Sequence, residues 1–239
     1  MQRYKLTIEY DGSDFVGWQR QRNGLAVQQA LEQAVEKFCG ESVTVFGSGR
    51  TDAGVHAISQ VAHFDIGKTT NTDTVRDALN YYLKKGTISV LNVEAVNQDF
   101  HARFSAKSRS YLYRIVSRRG PITFDQGRVW WVPVKLDSDA MHTASQLLLG
   151  KHDFSTFRAS TCGAKSPIKT MEKILIKKNK DKIILQFTSR SFLQQQVRSM
   201  VGCIKYLGEG KWSLSDFKKS FKSKNRLKCA PPAPACGLY

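Results

Sequence analysis

From Tyr4 to Tyr10 the chain alternates, with Tyr4, Leu6, Ile8 and Tyr10 on one side and Lys5, Thr7 and Glu9 on the other, before the turn-prone Asp11-Gly12-Ser13. A period of two marks a strand with one buried face. Val27, Ala30, Leu31, Ala34, Val35 and Phe38 then recur at spacings of three and four. That spacing predicts a helix over 26–38 with one apolar face, stopped by Gly40. Strand patterns follow at 43–46 and 60–66, a helix at 73–84 and a strand at 87–96, which gives the order βαββαβ. The same grammar restarts with a strand at 110–117, a helix at 138–149 carrying Met141, Leu147 and Leu148, and strands at 169–177 and 182–188. A long helix over 192–207 closes the series, its apolar face formed by Leu193, Val197, Met200, Val201, Ile204 and Leu207. The tail from Cys229 to Tyr239 contains Pro231, Pro232 and Pro234, cannot be helical, and reads as an extended strap.

The expected fold is therefore α+β. Two ferredoxin-like, RRM-like subdomains, over 1–100 and 101–239, would join their antiparallel sheets around a central basic cleft. Between the halves only the order of elements repeats.

Charge sharpens this picture. The 239 residues hold 37 Lys and Arg against 20 Asp and Glu, a net charge of +17. Residues 1–100 carry 10 basic and 12 acidic side chains, so the excess sits entirely in residues 101–239, where 27 face 8. A polycationic half attracts phosphate backbones, because neutralising phosphates releases condensed counterions. A solvated lysine-rich surface accounts equally well for stretches such as Lys177-Lys178-Asn179-Lys180. No apolar run approaches the ~18 residues of a membrane span, and Met1-Gln2-Arg3-Tyr4-Lys5 leads into a strand pattern, so a cytoplasmic protein without membrane association is expected. Cysteines 39, 162, 203, 229 and 236 are odd in number and contain no C-x-x-C, which points to reduced thiols and no zinc knuckle.

One segment concentrates chemistry: Gly47-Ser48-Gly49-Arg50-Thr51-Asp52-Ala53-Gly54-Val55-His56-Ala57. Its glycines mark tight turning or close approach of another chain. It lacks the Walker spacing and the Lys-Ser/Thr ending of a phosphate loop, and His56 has no Cys or His at ligand spacing, so no metal is expected. A structural turn with an Asx bond and a surface ion pair would explain it. So would a nucleophilic carboxylate with a cation beside it.

The sequence resembles the tRNA pseudouridine synthase A (TruA) family. The resemblance begins at Tyr10-Asp11-Gly12-Ser13-Asp14-Phe15-Val16-Gly17-Trp18-Gln19 and takes in Val27-Gln28 and Gly49-Arg50-Thr51-Asp52-Ala53-Gly54-Val55-His56-Ala57. It continues through Asp99-Phe100-His101-Ala102-Arg103-Phe104-Ser105-Ala106, Arg109-Ser110-Tyr111-Leu112-Tyr113 and Gly150-Lys151-His152-Asp153-Phe154. Ser191-Phe192-Leu193, Val197-Arg198, Val201-Gly202, Ala233-Pro234-Ala235 and Gly237-Leu238-Tyr239 complete it, so it spans the chain. Gln195 and Gln196 depart from relatives that often carry His or Asn followed by Met, which bears on substrate range.

The resemblance implies a cofactor-free homodimer that isomerises uridine to pseudouridine at positions 38, 39 and 40 of the tRNA anticodon stem-loop. It makes Asp52 the nucleophile, acting at C6 of the base, at C1′ of the sugar or through a glycal. It makes Arg198 the ion-pair partner that keeps this carboxylate charged when water is excluded. Arg50 would help extrude the target base, Tyr111 would stack on it and take part in proton transfer at C5, and Leu193 would line an apolar wall. Thr51 and His56 would belong to the substrate-binding set, His56 chiefly by a hydrogen bond that fixes the loop. From the residues alone Tyr111 reads as a core tyrosine, and Phe15 and Trp18 suit either base stacking or the core. The alternatives are a non-catalytic RNA-binding protein and a pseudouridine synthase with broader RNA targets. The charge of residues 101–239 predicts that tRNA affinity, measured by filter binding, falls steeply with salt; equal affinity at low and high salt would contradict it.

Overall fold

The computed structural model describes residues 1–83 and 86–239. The chain divides into two compact units, Met1–Ala106 and Lys107–Tyr239.

In the first unit, β1 (Gln2–Tyr10) lies between β3 (Ala57–Ile66) and β4 (Ile88–Val96), antiparallel to both, and β2 (Phe46–Gly47) borders β3. The resulting order β2-β3-β1-β4 is the interleaved ferredoxin-like one. Tyr4, Leu6, Ile8 and Tyr10 of β1 and Ala62, Phe64 and Ile66 of β3 point to the same side and are buried. Two helices cover that side. α1 (Val27–Cys39) contributes Val27, Leu31, Ala34 and Val35, and α2 (Thr72–Leu83) contributes Val75 and Leu79. Helix α1 stops at Gly40, whose φ of 76° lets its N–H reach Glu36 O at 2.7 Å. The predicted end of α2 at Lys84 lies outside the described residues.

The predicted strand at 43–46 shrinks to Phe46–Gly47. The Val45 N–H donates to Glu32 Oε1 at 3.1 Å rather than to a strand. The same buried Glu32 pairs through Oε2 with Arg20.

Among the described residues of this unit, no helix covers the opposite sheet face. Residues 97–104 lie along it instead: Arg3 Nη1 donates to Phe100 O at 2.7 Å, and the Ala102 N–H donates to His63 Nδ1 at 3.2 Å. Arg3 also forms a two-bond ion pair with Asp65, at 2.8 and 2.7 Å.

In the second unit β5 (Arg109–Ser117), β6 (Trp130–Val132), β7 (Gly150–Asp153), β8 (Ile168–Asn179) and β9 (Lys182–Ser189) order as β6-β5-β9-β8-β7. The inner run β5-β9-β8 is antiparallel, with β6 parallel to β5 at the edge. Helices α3 (Ser138–Gln146), α4 (Gln196–Gly208) and α5 (Leu214–Lys222) supply Met141, Met200, Val201, Ile204 and Phe217 to the core, with Ile183, Leu185 and Phe187 of β9.

Two predicted helices are shorter than their apolar periods. The one over 138–149 ends at Gln146, because a turn through Leu147 and Leu148 leads to Gly150 at φ 89° and into β7. The one over 192–207 begins at Gln196, because Gln195 takes a left-handed φ of 59° and places Leu193 in the preceding turn.

The tail packs. The Leu112 N–H donates to Tyr239 O at 2.8 Å and the Tyr239 N–H to Leu112 O at 2.7 Å, so the terminus lengthens the β5 edge. The expectation of a wholly extended strap fails at Ala235–Gly237, a single 3-10 turn after Pro234. Gly202 of α4 lets the strap come close, since a Cβ there would stand 2.1 Å from Pro231 O.

Two predictions follow from these contacts. Burial above all, then the positive Arg3 and the adjacent His101, push the His63 imidazole down from 6.5 to about 4. The unfolded chain therefore takes up a proton that the folded one refuses, and stability is lost as pH falls from about 6.5 towards 4. His63→Asn keeps an acceptor for the Ala102 N–H and should flatten that part of a urea-unfolding pH profile; an unchanged slope would refute it. Gly202→Ala gains about 1 kcal/mol of helix propensity, yet its collision with Pro231 should produce a net loss of roughly 1–3 kcal/mol in the same assay.

Candidate active site

The Asp52 loop rests on the segment that follows β1. After Tyr10 the chain makes a 3-10 turn over Gly12–Asp14, held by Asp11 Oδ1, which accepts the Ser13 N–H at 3.0 Å. Gly12 lies directly against the loop: a Cβ there would stand 2.0 Å from Val55 O. Gly17, at φ +110°, makes a second close approach, where a Cβ would meet Thr51 O at 2.6 Å. Only glycine fits both positions.

The gaps so closed are bridged by hydrogen bonds. The Trp18 N–H donates to Thr51 O at 3.1 Å and the Gly54 N–H to Phe15 O at 3.3 Å. Thr51 Oγ1 lies 2.9 Å from Tyr10 Oη, and Gln60 Nε2 donates to Gly49 O at 3.0 Å. Asp52 begins a tight turn in which the Val55 N–H returns to Asp52 O at 3.2 Å, with Gly54 at φ 74° as its third residue.

Thr51 and Asp52 are half-buried and Arg50 is exposed. A carboxylate is thus carried on a backbone pinned before and after it, with an arginine two residues upstream. His56 is buried, and its Nδ1 accepts the Gly12 N–H at 3.0 Å. Asp11 Oδ1 lies 3.1 Å from the same Nδ1. Phe15 and Trp18 are core residues, and the Trp18 indole fills the space above Gly47.

Tyr111, Leu193 and Arg198 belong to the second unit. Tyr111 lies on β5, half-buried, with its ring edge-on to Phe192 at 4.9 Å between centroids. Leu193 is buried in the turn before α4, where its N–H donates to Gln196 Oε1 at 2.8 Å. Arg198, in the first turns of α4, is clasped by the strap. Its Nε donates to Ala233 O at 2.7 Å, and its own carbonyl accepts the Ala233 N–H at 2.9 Å. Next to this clasp Tyr113 donates through Oη to Pro234 O at 2.7 Å, and burial above all holds its phenol far above the ordinary range.

The part Ala233 plays escapes sequence reasoning because a backbone carbonyl has no residue signature; the Ala233-Pro234-Ala235 block of the resemblance and the prolines at 231 and 232 are the nearest signals. Among the described residues no three His, Cys, Asp or Glu side chains gather as metal ligands.

The curated relatives match the chain over its whole length. The sequence pattern of the family described as tRNA pseudouridine synthase matches residues 6–105 and 144–239. A tRNA pseudouridine synthase A from Paramagnetospirillum magneticum is 55 % identical over 238 residues, covering 100 % of this chain and 93 % of the relative. Those of Maricaulis maris and Rhodospirillum centenum are each 53 % identical over 239 residues, covering all of this chain and 96 % and 98 % of theirs. A chain in the crystal structure of a Cbf5-Nop10-Gar1 complex is similar at a TM-score of 0.40 and 9 % identity; this chain spans less than half of it, 45 %, and 85 % of this chain is covered. By its sequence over nearly its whole length, the chain belongs to the tRNA pseudouridine synthase family.

Proposed function

We propose that the protein isomerises uridine to pseudouridine at positions 38, 39 and 40 of the tRNA anticodon stem-loop, as a cytoplasmic homodimer without a cofactor, with Asp52 as nucleophile. The observation that carries this is the Asp52 turn itself, a half-buried carboxylate on a backbone pinned by Gly12, Gly17 and Trp18. The reaction breaks the N1–C1′ bond, turns the base and joins C5 to C1′. C5 gives up its proton and N1 gains one, so composition is unchanged and no redox partner is required.

Attack at C6, attack at C1′ and a glycal route all need the carboxylate ionised in a space that excludes water. A neighbouring guanidinium meets that need, because removing water alone would favour the neutral acid. Arg198 is assigned this part: its Nε is committed to Ala233 O, which fixes the plane in which its terminal nitrogens present themselves. Arg50, exposed beside the turn, suits a side chain that takes the place of an extruded base. Tyr111 stacks on the uracil and acts at C5, Leu193 provides apolar wall, and Thr51 and His56 hold the loop against Tyr10 and Gly12.

Asp52→Ala should abolish pseudouridine formation, mapped by carbodiimide blockage of primer extension, while tRNA binding stays within about threefold. A variant that retains turnover would overturn the nucleophile, and a wild-type protein that binds tRNA but makes no pseudouridine would leave a binding protein. Arg198→Ala should lower kcat by about 100-fold, an electrostatic loss of the size expected for one charged partner in a dry site. Normal kcat in that variant would refute the ion pair.

A further inference from the structure

The segment after β4 presents aromatic rings to solvent although it is firmly held. Arg3 binds Phe100 O, and Ala102, buried at 2 %, donates to His63. The turn closes on itself: the Ser105 N–H donates to His101 O at 2.8 Å, the His101 N–H to Ser105 Oγ at 3.0 Å, and the Arg103 N–H to His101 Nδ1 at 3.2 Å. Yet Phe104 is 76 % exposed. Leaving a phenylalanine in water forgoes the favourable burial of its ring, and mobility does not explain it in a turn tied by these bonds.

Phe104 does not stand alone. The His101 ring lies 4.4 Å from it and 5.6 Å from Phe46, which is itself 45 % exposed. Beneath them His63 stacks on Phe46 at 5.1 Å and, held uncharged by burial, serves as an apolar support at neutral pH. The Arg103 guanidinium sits 5.6 Å from the Phe104 centroid. Open ring faces flanked by a guanidinium suit nucleobases, which stack on the ring while the cation favours the phosphate beside them. Phe46 also lies on the strand that runs directly into the Asp52 loop.

We propose that Phe104, His101 and Phe46 form a stacking platform for unpaired bases of the RNA substrate, separate from the Asp52 turn. This rests on the tRNA reading for the identity of the RNA. A cation–π-flanked aromatic surface favours RNA over a second copy of this chain, which would meet it with an apolar patch.

The test uses the full chain with Phe104→Ala and Phe104→Trp, and an unmodified tRNA transcript as probe. Filter binding at several salt concentrations should show Phe104→Ala weakened about 10-fold, the scale of one stacked base, and Phe104→Trp within about twofold of wild type. The slope of log affinity against log salt should be unchanged in both, since stacking releases no counterions. The difference in emission between Phe104→Trp and wild type should be quenched by tRNA. Unchanged affinity of Phe104→Ala would overturn the platform. So would loss of a dimer in light scattering for that variant without RNA, which would assign the surface to a second copy. Binding is read without turnover, so failure of the isomerase reading would appear separately, as a wild-type protein that makes no pseudouridine on the same transcript.

Discussion

Two backbone segments of the first unit approach more closely than any side chain would permit, and Asp52 sits beside the contact. Gly12 against Val55 and Gly17 against Thr51 bring the turn after β1 onto the loop before β3. Hydrogen bonds from Trp18 and Gly54 then close the gap. The core supports this from below, because Trp18 and Phe15 are buried on the same segment. The placement of one carboxylate is thereby tied to the sheet through backbone, which is stiffer than any arrangement of side chains. With Asp52 as the proposed nucleophile, preorganisation of this kind would leave little reordering to accompany the reaction.

The second unit solves a similar problem differently. Arg198 carries a long flexible side chain, and such a chain loses entropy when it is held in place. The strap offsets that cost by binding the residue twice, at its carbonyl and at Nε, through Ala233. The prolines beside Ala233 keep the strap extended, and Gly202 gives it room on α4. The terminus then pairs with β5, next to the strand residue Tyr113 whose hydroxyl reaches Pro234. A tail that reads as an extended strap in sequence is thus an integral edge of the sheet and the mount of an arginine.

Much of this is legible in the residues, and the exceptions have physical causes. β1 and α1 can be read because their inward side chains keep one period from end to end. The start of α4 cannot, because the apolar spacing continues through Leu193 while the backbone reverses at Gln195, and periodicity is blind to the sign of φ. Val43 and Val45 suggest a strand, but the Val45 amide is taken by the buried Glu32. α5 is hidden by its lysines, although Ser213 and Asp216 form the capping box that announces it. β6 and β7 are too short to show a period. At the candidate site the glycines and Asp52 stand out by spacing, whereas the groups that hold Arg198 are main-chain atoms.

The most direct test of the claim that position, and not merely charge, makes Asp52 effective is a single-turnover measurement of pseudouridine formation by Asp52→Glu. That variant keeps the negative charge and moves it by one methylene. A rate reduced by at least about 100-fold, with tRNA affinity within about twofold of wild type, is the expected result. A rate within a few-fold of wild type would contradict the claim, because the close-packed turn would then have no bearing on the chemistry.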